Sequence, residues 1–388
     1  MLETMGLRQN TLFSALLATS IALGAVVPVL PSLAAAKPSY DKKMQMGQLL
    51  YFNGNVDQAI KAFKTAAALK PEAFEPHLNL VNIYVQRQDF SSAIEECKEG
   101  LKIKPNHRDL HLIHANLLRS HSGTKSQDEQ KAMLEDALKS LGKAEELGAN
   151  KALVYNTLGI IFVQLGDLDK ALEYVNKALA ENFKMPDAHL IKGVLLFKKG
   201  DKENSIKEID LAIKQKDKNA EGHNTKADIL FSMGKEEQSM AEYKLAIADE
   251  AKFYQSYVGL ANILIKQSKF EEALEHLIKA DQVHPNDANI IYSIAVCLEK
   301  LGKIHEAIAK FNEGVLVDTN PTMKNQILTH LHQLQGGHGF NLPQIGGQAG
   351  LGPNFGAPGS NLFKDPFFGE SFKDMIKIKQ APAAKEEK

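Results

Sequence analysis

A small residue recurs every 34 positions through most of this chain, and each recurrence brings the same company. Gly47, Val81, Ala115, Gly159, Gly193, Ala227, Ala261 and Ala295 are each followed three residues later by a bulky apolar side chain: Leu50, Tyr84, Leu118, Phe162, Leu196, Leu230, Leu264 and Leu298. A second small residue follows in every repeat (Ala59, Ala93, Ala137, Ala171, Ser205, Ser239, Ala273, Ala307), and a third seven positions beyond it (Ala66, Gly100, Ala144, Ala178, Ala212, Ala246, Ala280, Gly314). Only Val81 departs from the small-residue rule, and only the third repeat departs from the spacing, by ten extra residues before Ala137. Small residues at fixed helical spacing let two helices approach closely while the bulky residues between them fill the groove. One repeat is therefore a helical hairpin, helix A then helix B. A lone hairpin cannot bury both apolar faces, so eight of them must stack, and the fold class is all-α, an α-solenoid.

The pattern resembles the tetratricopeptide repeat family from Tyr40 to Pro321, with repeats at 40–73, 74–107, 108–151 (carrying the insertion), 152–185, 186–219, 220–253, 254–287 and 288–321. Positions below are counted within each repeat. Pro71, Pro105 and Pro285 fall where the family ends helix B, since a missing N–H and a fixed φ stop a helix. Gly166, Gly200, Gly234 and Gly302 fall at the turn between the helices, where positive φ is easiest for glycine. The family's bulky aromatic at position 4 is replaced by Lys43, His77, His111, Tyr155, His189, His223, Tyr257 and Ile291, and the chain has no Trp. The resemblance implies a right-handed superhelix whose concave groove binds a protein or peptide, with no cofactor and no catalysis. The insertion, through Ser120, His121, Ser122, Gly123 and Thr124, reads as a longer hairpin loop on the surface, because loop length costs little closure entropy.

At the N-terminus, Arg8 precedes an apolar stretch from Leu12 to Val29, then Pro31 and the small residues of Ser32 to Ala36. Residues 1–36 therefore read as a signal peptide cleaved after Ala34 or Ala36, with a membrane anchor over 11–29 as the alternative. Either way the repeats are exported, periplasmic or secreted, with a membrane involved only if the segment is uncleaved. Cys97 and Cys297 lie six repeats apart, too far to bridge, and read as packed thiols. A net charge of −1 without a Lys/Arg block lacks the footprint of a nucleic-acid binder. A capping helix is expected at 322–335, covering the eighth repeat with Ile327, Leu328 and Leu331. Residues 336–388, rich in Gly and Phe, read as a disordered tail.

Positions 4, 7, 8 and 11 of helix A cluster on one side and positions 2, 5, 9, 12 and 13 point opposite. In the family that opposite face lines the groove. It carries Met44, Tyr51, Phe52, Leu78, Val85, Leu112, Leu153, Ile160, Val163, Leu190, Val194, Phe197, Phe231, Val258, Ile265, Tyr292 and Val296, too many apolar residues for a solvated face. Position 9 adds Asn82, Asn116 and Asn262, whose amides offer donor and acceptor to an extended peptide. No Lys or Arg stands beside them at position 5, which argues against a carboxylate clamp. Acidic residues at position 2 (Asp41, Glu75, Asp109, Asp187, Glu221) suit a helix N-terminus. His107, His111 and His114 have a spacing that metal sites use, but recurrence of His at position 4 favours a packing role. No phosphate loop, nucleophile elbow or paired-cysteine motif is present, and Gly347 to Gly352 lacks the flanking strand and helix of a phosphate site.

The tail holds one amphipathic stretch over 363–378. Asp365 and Pro366 form a helix start, and Phe368, Phe372, Met375 and Ile376 make an apolar stripe that Phe363 and Phe367 extend. These features predict a non-catalytic adaptor holding a peptide or helix of an envelope protein, with its own tail as a competitor for the groove and no small-molecule substrate. Two alternatives stand beside it: a spacer or assembly factor acting through the tail, and a metal- or ligand-binding accessory subunit of an enzyme complex.

Overall fold

The computed structural model describes residues 39–317 and 321–334, and these form 17 helices without a strand among them. In chain order they are α1 (Tyr40–Phe52), α2 (Val56–Leu69), α3 (Glu75–Gln86), α4 (Phe90–Ile103), α5 (Arg108–Ser122), α6 (Gln127–Glu146), α7 (Lys151–Gln164), α8 (Leu168–Glu181), α9 (Pro186–Lys198), α10 (Lys202–Gln215), α11 (Ala220–Ser232), α12 (Glu236–Asp249), α13 (Tyr254–Lys266), α14 (Phe270–Val283), α15 (Ala288–Lys300), α16 (Ile304–Val317) and α17 (Pro321–Leu334). They make eight A/B hairpins and one final helix. The chain divides into two units, Met1–Pro71 and Glu72–Lys388. The first holds the hairpin α1/α2. The second is an all-α solenoid of seven hairpins closed by α17, in which each B helix packs on the A helix that follows it. Both termini, including the signal or anchor segment and the Phe363–Ile378 stretch, lie outside the described residues.

The small-residue rule has a direct steric cause. A Cβ built on Gly47 would sit 2.7 Å from the Phe63 ring, on Gly159 2.6 Å from Val175 Cγ2, and on Gly193 2.6 Å from Ile209 Cγ1. In these three repeats position 8 of helix A is thus the hole that receives position 24 of helix B. Every residue at the three small positions is buried, Val81 included. Turn chemistry follows the sequence: Gly166, Gly200, Gly234 and Gly302 adopt φ of 81°, 89°, 75° and 74°. Gln88 and Ser268 hold the same turn position with φ of 59° and 61°, a conformation unfavourable for a side chain.

Three helix starts show why these boundaries are sharp. Asp89, Asp167 and Asp201 each accept the backbone N–H three residues on, satisfying an otherwise orphaned donor at the start of α4, α8 and α10. Helix B ends at Leu69, Ile103 and Val283, two residues ahead of Pro71, Pro105 and Pro285.

Two expectations are corrected. The insertion goes almost wholly into helix: α5 runs on to Ser122 and α6 spans 20 residues, and the turn between them is only one residue longer than in the other hairpins. Ser126 and Glu129 form a capping box, with the Glu129 carboxylate accepting from the Ser126 N–H at 3.2 Å, which starts α6 early. At the other end, α17 buries Ile327 and Leu331, but Leu328 is exposed, because the residue after Ile327 turns about 100° off the buried face.

Candidate binding face

The A helices of the second unit pack on one another as well as on their B helices, and this decides which predicted groove residues a partner can reach. Asn116 on α5 donates to Thr157 Oγ1 on α7 at 3.3 Å, Ser256 on α13 donates to Asn224 Oδ1 on α11 at 2.9 Å, and Gln326 on α17 donates to Tyr292 Oη on α15 at 3.3 Å. Close A-to-A contact seals positions 5 and 9 in several repeats, and position 12 in the fourth. Leu112, Val163, Leu190, Val194 and Tyr292 are buried, as are Asn82 and Asn116. These residues are therefore corrected from groove lining to interhelical core: Asn116 spends its amide on the Leu112 carbonyl and Thr157, and Asn82 Oδ1 accepts from Gln86 at 3.5 Å.

What stays reachable is narrower. Leu78, Val85, Leu153, Ile160, Val258, Asn262 and Val296 are half-buried, and so are three residues at position 12 of successive repeats, Phe197, Phe231 and Ile265. The three are 34 residues apart and so occupy equivalent places on α9, α11 and α13, one side chain per helix. Lys266 Nζ lies 5.3 Å from the centroid of the Phe231 ring while also paired with Glu236, so an ion pair flanks one edge of the row. Tyr51 and Phe52 belong to the first unit, where their rings meet edge to face at 5.8 Å; Tyr51 is half-buried and Phe52 exposed.

Two polar constructions escaped the sequence reading. The first explains the histidines. His77, His189 and His223 at position 4 each place Nδ1 against a glutamate 19 residues on, Glu96, Glu208 and Glu242, at 2.8, 2.7 and 2.6 Å. Each pair clasps helix A to its own helix B. Lys192 and Lys226 at position 7 join the last two clasps at 2.7 Å. Burial pushes the Glu242 carboxyl up, but hydrogen bonds from His223 and Lys226 outweigh it and hold it below its ordinary range. In the third repeat His111 donates to the Pro105 carbonyl, His107 Nδ1 accepts the Leu110 N–H as an N-cap, and His114 meets Ser140, so the three imidazoles have separate partners. Burial lowers His114 to about 4, with Lys98 and His111 adding to the shift.

The second is a buried chain of hydrogen bonds at the sixth and seventh hairpins. Tyr243 Oη donates to Asp228 at 2.5 Å, Asn224 donates to the other carboxylate oxygen at 3.2 Å, and Ser256 closes on Asn224. Burial raises Asp228 to about 6. Gly259 makes the room, since a Cβ there would lie 2.3 Å from the Tyr243 ring. Both cysteines are free and buried, and burial raises each thiol to about 12, which makes them packing groups.

Comparison with known families places this geometry. Tetratricopeptide repeat profiles match residues 51–117 and 156–221, and a profile of anaphase-promoting complex subunit 3 matches 239–314. The chain is a tetratricopeptide repeat protein. Mitochondrial import receptor subunit TOM70 of Rattus norvegicus is 27% identical over 139 residues, which are 36% of this chain, and the match spans only 21% of that receptor. Among solved structures, a tetratricopeptide repeat protein of Parabacteroides merdae is 17% identical over 68% of this chain and 99% of its own, with a TM-score of 0.48. A thermophilic TPR protein of Thermus thermophilus is 21% identical over 50% of this chain and 100% of its own, with a TM-score of 0.41. Tetratricopeptide stacks are protein-interaction scaffolds, and this chain carries such a stack.

Proposed function

We propose that this protein is an exported, non-catalytic adaptor that holds a peptide or helix of an envelope protein against its A helices. The row Phe197, Phe231 and Ile265 carries the reading: three large apolar side chains in equivalent places remain half-exposed, with Leu190, Val194 and Asn224 sealed beside the first two and Val258 and Asn262 half-buried beside the third. An apolar row in register on successive helices suits a helical or extended guest that sets one side chain beside each. The export half rests on the sequence of residues 1–36, and no described helix is long and apolar enough to cross a membrane. The resemblance to a fragment of an import receptor supports a polypeptide guest.

The tail enters the same proposal as a competitor. Phe363, Phe367, Phe368, Phe372, Met375 and Ile376 carry an apolar stripe on a tether long enough to reach the repeats, and a tethered ligand competes at high effective concentration. Photocrosslinking in cells from a reactive residue at position 231, with one at exposed Leu245 on α12 as control, tests the adaptor reading. A polypeptide captured at 231 and absent at 245, with capture rising after removal of 336–388, is expected. Identical capture at both positions would remove the proposed face, and unchanged capture without the tail would remove the competition.

A further inference from the structure

The first hairpin leaves open a face that later hairpins keep shut. Position 10 of helix A is Leu117, Ile161, Leu195, Ile229, Ile263 and Cys297 in the third to eighth repeats, and every one is 0% exposed. Those A helices each have a preceding B helix packed on them. In the first repeat position 10 is Leu49, and it is 63% exposed. Met46 and Phe52, three residues to either side on α1, are 47% and 54% exposed, and Leu69 on α2 is 42% exposed. Met46, Leu49 and Phe52 follow at three-residue steps along α1, so they share one side of the helix. Its chemistry is that of a helix-receiving surface.

We propose that this face pairs with the same face of a second copy of the chain, giving a two-fold dimer through the first hairpin. A second copy of the chain presents the same strip of Met46, Leu49 and Phe52, so the two faces match in chemistry. A contact between two identical faces closes at two copies. An antiparallel crossing of the two α1 helices centred on Leu49 lays Met46 over the partner's Phe52. It also carries Lys42 and Lys43 to the carboxyl end of the partner helix, whose last turn has no basic residue of its own. Cations there complement the helix dipole. The inference stands on α1 and α2 alone and is independent of the row at position 12.

The test uses the full chain as its producing cell leaves it, with the N-terminus defined by intact mass. Light scattering coupled to size exclusion should give twice the chain mass at micromolar concentration. Leu49→Glu changes two contacts per dimer and should weaken association by about 100-fold or more. Leu165→Glu, at another exposed leucine, should leave the mass unchanged. Lys42→Glu with Lys43→Glu preserves the apolar surface and should weaken association by roughly tenfold. A photoreactive residue at 49 should crosslink to α1 or α2 of a differently isotope-labelled copy. A monomer throughout the concentration range, a dimer indifferent to Leu49→Glu, or crosslinks from 49 to residues 12–29 of the same chain or to lipid would each overturn the proposal.

Discussion

Replacing two glycines by alanine separates close helix packing from helix propensity. Gly142 and Gly193 both lie inside helices, α6 and α9. In an exposed helix interior the change from Gly to Ala gains about 1 kcal/mol. A methyl group added at Gly142 would meet nothing within 4 Å, so Gly142→Ala should realise that gain. At Gly193 the same methyl would meet Ile209 Cγ1 at 2.6 Å, the Ser205 carbonyl oxygen at 3.0 Å and Ile209 Cδ1 at 3.2 Å. One of these contacts is backbone and cannot rotate away, so α9 and α10 must part. Overpacking of this kind costs about 1–3 kcal/mol. Gly193→Ala should therefore lie about 1–3 kcal/mol below Gly142→Ala in stability, with a net loss of up to about 2 kcal/mol against the parent. Urea denaturation of the full chain, followed by helical circular dichroism and compared at the midpoint, measures the difference. Ile209→Ala is itself costly at this buried site, but in that background Gly193→Ala should cost less than it does in the parent, because the methyl then has room. Equal stabilisation by both single alanines would refute the reasoning, because it would mean that position 8 is not where helix B enters helix A.

Gln88→Gly and Ser268→Gly each remove a side chain from a positive-φ turn and should raise stability by about 1 kcal/mol, read from the same urea curves. Glu242→Ala leaves His223 and Lys226 without their shared acceptor and should cost about 1–2 kcal/mol, whereas Glu237→Ala, at an exposed site on the same helix, should cost less than about 0.5 kcal/mol. His114 is held near 4 in the fold against an ordinary 6.5, so the unfolded chain binds the extra proton between those values and stability should fall as pH drops from 6.5 towards 4. His114→Leu, which restores the residue found at this position in Leu80, Leu158 and Leu260, should flatten that part of the pH profile; an unchanged slope would show that His114 titrates normally.

The hairpin architecture was legible because it rests on residue size at fixed spacing, and size is visible in a sequence. The face at position 12 was legible only in part. Assigning whole helix faces from a 100° rotation treats each A helix as touching its B helix alone, and it cannot show that Asn116 reaches Thr157, 41 residues on, and closes position 9 to solvent. Loop entropy alone points the wrong way at the insertion, because the capping box at Ser126 outweighs it, and that signal is present in the sequence. The His–Glu clasps also left a trace, a glutamate 19 residues after three of the position-4 histidines, which becomes meaningful once helices A and B are known to align there. The Tyr243–Asp228–Asn224–Ser256 chain left none, since its four members share no spacing that recurs.

Whether the position-12 row receives a polypeptide guest is decided most directly by affinity. Once the segment captured from position 231 is known, its affinity for the purified protein lacking 336–388 should be measured against Phe197→Ala, Phe231→Ala and their combination. Each single change should weaken binding by about tenfold and the pair by about 100-fold, measured at a temperature where circular dichroism shows each variant folded, since both rings also pack on the buried core. Affinity that stays within about twofold of the parent in the double variant would contradict the adaptor reading and move the binding site off the A helices.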